Sequence, residues 1–346
     1  MAVPVFHAAR YHIDIGLHVF PTRKYQLVRD RVAALPADRD AVVFVEPEQA
    51  TWDELALVHT REYLEKLRSG TLLPADLAQL ELPWSEEMVD GFRLMAGGTI
   101  QAALIACDLR RPEGLHDDSR SADLPASARD DSHASSGEPR RSADARRRQV
   151  RPLVAVHIGG GLHHAFPNHG EGFCPLNDVA VAVRVLQQHG IERAAIVDLD
   201  VHHGNGTAFI FESDPRVFTF SMHQQHNYPM WKPRGTLDIG LPDGVHDAPY
   251  LSELEKALPQ VMASGPQCVF YLAGADPYED DQLGGLRLTR DGLRQRDRMV
   301  VAAARALAIP LVIVLAGGYA RNVDDTVAIH VATIEEALEA SMETLR

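Results

Sequence analysis

Residues Ala194–Gly206 read AAIVDLDVHHGNG. The stretch opens as a short, wholly apolar run and turns at Asp198 into acids, imidazoles and glycines. An apolar run without polar alternation reads as a strand buried on both faces of a parallel sheet. Polar residues directly after such a strand point to a site, because open α/β sheets bind ligands outside the carboxyl ends of their strands. Counting by twos from Asp198 predicts Asp200 and His202 on the same side of the chain. A carboxylate and an imidazole placed together suit a divalent metal, above all Zn²⁺, which accepts both oxygen and nitrogen ligands.

The pattern recurs on either side. Val3–Phe6, Ala41–Val45, Leu153–Ile158, Arg216–Phe220, Cys268–Ala273 and Leu311–Leu315 read as further strands. Helical patterns occupy 23–34, 60–68, 85–107, 177–189, 249–263, 290–308 and 322–343. This alternation predicts an α/β fold, three-layer αβα, with a mainly parallel sheet between helix layers. Residues 111–149 are Ser, Asp, Arg, Ala and Pro with almost no large apolar side chains. That composition predicts a disordered surface insertion. It falls between a helix and a strand, so 1–346 reads as a single domain carrying an insertion.

Three other strands end as Ala194–Leu199 does. GGGLHHAFPNHGEGFC (Gly159–Cys174), GADPYEDDQLGGL (Gly274–Leu286) and AGGYA (Ala316–Ala320) each come directly after a predicted strand. Asp276 is the natural third ligand beside Asp200 and His202, leaving a fourth position for water or substrate, as catalytic zinc requires. Two adjacent buried imidazoles each need a polar partner. His163 and His164 therefore read as a general base and an orienting neighbour, with Asp198 and Asn205 available to fix their tautomers. The Tyr319 hydroxyl could donate to an oxyanion opposite the metal. His169 and His203 read as hydrogen-bonded structural residues. No Lys-Ser/Thr comes after a glycine-rich turn, so neither GGG nor GNG is a phosphate loop.

Composition narrows the function. The 346 residues are 45% hydrophobic and 24% charged, which excludes wholesale disorder. Asp and Glu outnumber Lys and Arg by 48 to 34, for a net charge of −14. Direct nucleic-acid binding needs a basic footprint and is not expected; cationic ligands such as lysine side chains or polyamines fit. Three cysteines without a CxxC imply a reducing compartment, and the start MAVPVFHAARYHIDIG lacks a signal-peptide pattern, so a cytoplasmic location is expected. The most apolar stretch, Met299–Gly318, holds Arg305 and Pro310 and predicts no membrane span.

The motifs GGGLHH, GFC, DLDVHHGNG, GADPYEDDQLGG and GGY, in this order, closely resemble the histone deacetylase family of zinc amidohydrolases, with the arginase/deacetylase fold. The resemblance runs from about Phe6 to Ile334. VHTREYL (Val58–Leu64), GGTI (Gly97–Ile100), Asn205 where class I enzymes have Asp, and Ala316 before GGY resemble class IV members and their bacterial relatives. The resemblance implies Asp200, His202 and Asp276 as zinc ligands, His164 as general base, and His163 as its electrostatic partner on Asp198. Asn205 would be the partner of His164, and Tyr319 the residue that polarises the scissile carbonyl. It implies Phe173 and Tyr228 as walls of an acyl-lysine tunnel, with Gly172 at its narrow part. A structural K⁺ near Asp198, Asp200, His202, Ser221 and Met222 is implied as well. The implied reaction removes acetyl or longer acyl groups from lysine side chains of proteins. An acetylpolyamine amidohydrolase is the alternative. A two-manganese ureohydrolase on the same fold would need further bridging carboxylates, and Gly204 stands where one is required. An inactive binding module would have lost a ligand or Tyr319.

Overall fold

The structure, a computed structural model, describes residues 2–35, 41–109 and 154–343. The segment 111–149 lies outside them. Eight strands form one sheet: β1 (Val3–Phe6), β2 (Val42–Val45), β3 (Val154–His157), β4 (Ala194–Asp198), β5 (Val217–Gln224), β6 (Leu237–Leu241), β7 (Cys268–Leu272) and β8 (Leu311–Val314). Their spatial order is β2-β1-β3-β8-β7-β4-β5-β6. Every neighbouring pair is parallel, so the sheet is wholly parallel where a mainly parallel one was expected.

Among the described residues, nine α-helices lie between strands and a tenth follows β8: α1 (Lys24–Ala33), α2 (Trp52–Leu55), α3 (Arg61–Ser69), α4 (Pro74–Leu80), α5 (Glu86–Ala106), α6 (Asp178–Gln188), α7 (Asn205–Phe211), α8 (Asp247–Ala263), α9 (Arg290–Ala306) and α10 (Val323–Glu343). α5 packs on α6, while α1, α10, α9 and α8 pack in succession, which gives the two outer layers. Burial tracks position in the sheet. Every residue of β4, β7 and β8 is buried, whereas β6, at one edge, alternates half-buried with exposed positions. That alternation, LDIGL with Asp238 and Gly240 facing out, is why β6 escapes a search for apolar runs. α7 escapes for another reason: it begins at Asn205, inside the GNG that reads as a turn.

One consequence of strand order governs the site. The four polar loops leave β3, β8, β7 and β4, which are consecutive neighbours at the centre of the sheet. Their ends are also in register, His157 beside Val314, Val314 beside Leu272 and Leu272 beside Asp198. Loops that lie far apart in the chain therefore start side by side.

Candidate active site

The loop after β4 converges by turning rather than by strand alternation. β4 ends at Asp198, and two side-chain-to-backbone bonds shape the turn that leaves it. The Asp200 amide donates to Asp198 Oδ1 at 3.2 Å and the His202 amide to Asp200 Oδ1 at 3.0 Å. Aspartate that binds the amide two residues on builds such turns. The expected cluster of Asp198, Asp200 and His202 forms, by a different local geometry from the one predicted.

Asp276 arrives from the loop after β7, its Oδ1 accepting from the Val201 amide at 2.9 Å. Asp200, His202 and Asp276 are all buried, and one ligand atom from each lies within 4.8 Å of the others. Asp276 Oδ2 is buried without a hydrogen-bond partner and faces His202 Nδ1 at 3.4 Å. Burial and the Asp200 charge push the Asp276 carboxyl up to about 7. Burial also works against Asp200, yet His163 and His202 hold it well below the usual carboxylate range. Two buried carboxylates with an unsatisfied oxygen between them call for a cation. The backbone is shaped to leave room: a Cβ at Gly317 would overlap Asp276 Oδ2 and crowd Asp200 Oδ2, while the Gly317 amide donates to Asp200 Oδ2 at 2.9 Å. The donor set fits a zinc ion with an open position.

His163 and His164 sit beside this group, both buried. Their Nε2 atoms converge at 3.1 Å. His163 Nδ1 donates to Asp198 Oδ2 at 2.7 Å, and His164 Nδ1 meets Asn205 Oδ1 at 2.7 Å. Burial works against a charge on His163, but Asp198 and Asp200 outweigh it and raise its pKa to about 9. Burial and the neighbouring His163 and His202 charges push His164 well below the usual imidazole range. The pair therefore keeps both ring protons on His163, one toward Asp198 and one toward His164, and leaves His164 Nε2 unprotonated.

Tyr319 lies five residues past the end of β8, on a loop and not at the strand end itself. Its amide donates to Asp281 Oδ2 at 2.7 Å and its carbonyl accepts from Gln282 Nε2 at 2.8 Å. Burial, and after it the Asp200 and Asp276 charges, raises its pKa far above the ordinary phenol, so the hydroxyl keeps its proton as a donor.

A narrow cavity of about 30 Å³ opens onto these groups, lined by His163, His164, Asp200, His202, Gly172, Phe173, Phe20 and Tyr319 among others. Phe173 stacks on Phe20 with ring centroids 6.1 Å apart. Tyr228 is not part of that lining. It stands edge-on to His164 at 5.0 Å and to His202 at 6.3 Å, with its hydroxyl on Glu171 Oε1 at 2.9 Å. Gly172 is in the left-handed region at φ 52°, and a Cβ there would press on His164 and Tyr228. Ser221 is the register partner of Asp198, and Met222 is the next residue on β5.

Some supporting residues carry little sequence signal. Phe20 is one aromatic among eleven phenylalanines, in a loop without a motif. Lys24 is wholly buried under the site. Its Nζ donates to the Ala316 carbonyl at 2.9 Å and lies 5.4–5.6 Å from the rings of Phe20, Tyr25 and Tyr319. Asp178 accepts the amides of Gly161 and Leu162 and so holds the GGGLHH loop. Arg296 on α9, wholly buried and paired with Asp297, donates to the carbonyls of Leu199 and Gly274 and ties two ligand loops together. Asp178 and Asp281 sit inside or next to the motif loops, where an acid among small residues was the available clue. His169 and His203 behave as structural residues: His169 bonds Asn168 and stacks on Phe166, and His203 faces Asp238 at 3.4 Å.

Acids, imidazoles and a tyrosine gathered at the carboxyl edge of a parallel sheet make a site equipped for acid–base chemistry beside a metal. The chain belongs to the histone deacetylase family: residues 18–334 match the Histone deacetylase domain. An uncharacterized protein of Picosynechococcus is 37% identical over 95% of this chain and 96% of its own. Histone deacetylase 2 of Arabidopsis thaliana is 28% identical over 92% of this chain and 75% of its own. The crystal structure of an HDAC homolog complexed with SAHA shares the fold, with a TM-score of 0.73 at 22% identity, covering 97% of this chain and 84% of that one. Among the described residues, no helix is long and apolar enough to cross a membrane.

Proposed function

We propose that this chain is a zinc-dependent deacylase of class IV type that removes acetyl or longer acyl groups from lysine side chains of proteins. The observation that carries the reading is the meeting of the Asp200–His202–Asp276 group, the His163–His164 pair and Tyr319 in one cavity walled by aromatic rings. Asp200, His202 and Asp276 would hold the ion, which when bound supplies Lewis-acid polarisation of the amide carbonyl and a more acidic water. His164 accepts the proton of the attacking water at Nε2 and returns it from that atom to the leaving amine. His163, charged between Asp198 and His164, stabilises the negative charge that develops nearby. The Tyr319 hydroxyl donates to the oxyanion. Phe173, stacked on Phe20, forms one wall that excludes water and packs along the aliphatic stem of the substrate lysine. A structural K⁺ near Asp198, Asp200, His202, Ser221 and Met222 belongs to the same proposal, as do the single-domain reading and the insertion at 111–149.

The test is a side-by-side assay of the zinc-loaded chain on acetyl-lysine and myristoyl-lysine peptides and on N-acetylspermidine. Peptide hydrolysis that a chelator abolishes and zinc restores is the expected result. Turnover confined to acetylspermidine would move the substrate class to polyamines. Two bound manganese ions per chain, or no amide hydrolysis with zinc bound, would overturn the reading.

A further inference from the structure

The His164–Asn205 pair has a third member. Glu171 lies one residue before Gly172, and its side chain is only 13% exposed. Its Oε1 accepts from Asn205 Nδ2 at 2.6 Å and from the Tyr228 hydroxyl at 2.9 Å. Its Oε2 accepts from Gln79 Nε2 at 2.9 Å and faces His169 Nε2 at 3.5 Å. Partial burial opposes ionisation, but these four groups together hold the carboxyl down at about 2.

The hydrogen bonds leave each member one choice. An asparagine amide can offer a neighbour either its oxygen or its nitrogen. An ionised carboxylate only accepts, so Asn205 must turn Nδ2 to Glu171 and Oδ1 to His164. An oxygen at Asn205 then requires the proton of His164 on Nδ1, and Nε2 is left without a proton, facing His163 Nε2 at 3.1 Å. The neighbouring dyad needs no such device, because Asp198 is a carboxylate and accepts from His163 directly. We propose that Glu171 is a positioning residue that orients the Asn205 amide, locks His164 in its Nδ1–H tautomer, and fastens that lock to Tyr228 beside the cavity. The proposal rests on the reading of His164 as the base.

Two measurements test it on the full chain. The first needs neither metal nor activity: ¹⁵N spectra of histidine-labelled protein report the tautomer. Wild type should show His164 with its proton on Nδ1, and Glu171→Gln should populate the other tautomer, since glutamine can present a donor to Asn205 and turn its amide round. The second is a mutant cycle in the zinc-loaded protein. Glu171→Gln and Asn205→Asp should each lose about ten- to a hundredfold in kcat, as removal of an orienting partner commonly does, with KM within about threefold. In Asn205→Asp the loss arises from two carboxylates forced together. The double variant moves the charge from 171 to 205 and restores a donor–acceptor match, so kcat should recover to within about threefold of wild type. Tyr228→Phe, which removes only the second bond to Oε1, should raise KM and leave the tautomer alone. An unchanged tautomer in Glu171→Gln, or losses that multiply in the double variant, would reduce Glu171 to a loop-packing residue. If wild type hydrolyses no amide, the functional reading fails while the tautomer spectra still decide the positioning role.

Discussion

The floor of the cavity and its rim are built on different principles. On the floor, backbone groups hold the side chains. Asp200 binds the amides of His202 and Gly317, Asp276 binds that of Val201, and Asp281 binds that of Tyr319. Arg296 and Lys24 bind loop carbonyls from beneath. At the rim, ring stacking takes over, with Phe173 on Phe20. The floor is buried, whereas Met230 and Trp231, two and three residues past Tyr228, are exposed. Backbone bonds fix atoms independently of side-chain rotamers, as a metal site demands. Rings can shift to admit different acyl and peptide shapes. Substitutions on the floor should therefore cost turnover, and those at the rim should cost substrate affinity.

The strongest way to break this contrast is at the ligands. Asp200→Asn and Asp276→Asn should each lose most bound zinc, and kcat/KM should fall by on the order of 10³ or more, because a Lewis acid contributes several kcal/mol of charge stabilisation. Metal analysis beside the kinetics is the check; near-normal zinc and turnover in both would remove them from the floor. Tyr319→Phe comes next. Losing one oxyanion donor typically costs on the order of 10²–10³ in turnover, with KM less affected. Zinc content and stability should stay near wild type, since Phe fills nearly the same volume. Full activity would make Tyr319 a packing residue.

The same contrast explains what could be read from the sequence. Floor residues announce themselves because an Asp, His or Tyr among glycines at a strand end has few other reasons to be there. Strand order then brings them together, and β3, β8, β7 and β4 cannot be seen as neighbours without the sheet. Lys24, Arg296 and Phe20 give no local sign, since the carbonyls that Lys24 and Arg296 bind and the ring on which Phe20 stacks lie far along the chain. Glu279, Asp280 and Asp281 are three acids in a row, and only the loop geometry singles out Asp281 to hold Tyr319. Tyr228 is an aromatic at the expected place, edge-on to His164 with its hydroxyl on Glu171.

Lys24 supports the floor at a measurable cost. Burial lowers its pKa to about 8 from 10.5, with Asp276, Asp200 and Asp281 opposing. Between those values the folded chain binds fewer protons here than the unfolded chain does, so stability rises with pH across the window and is lost as pH falls toward about 8. The shift corresponds to about 3 kcal/mol. Denaturant unfolding from about pH 7 to about pH 10.5 should show that much more stabilisation in wild type than in Lys24→Met. Equal pH slopes in the two proteins would mean that Lys24 is charged and fully compensated in place.

The smallest effect expected is at the rim. Phe173→Ala removes one of two stacked rings but touches no ligand and no proton-carrying atom. An aromatic pair contributes about 0.5–1.5 kcal/mol beyond its area, so KM should rise by up to about tenfold while kcat changes by less than about threefold. Phe20→Ala should behave alike, because each ring is half of the same wall. The two losses should not add in the double variant, since the first substitution already ends the stacking. Measuring them on acetyl- and myristoyl-lysine peptides separates two roles. A loss shared by both peptides places the rings around the lysine stem, and a loss confined to the long chain places them around the acyl group. A fall in kcat as large as that of Tyr319→Phe, with KM unchanged, would put Phe173 on the floor and end the division between the two regions.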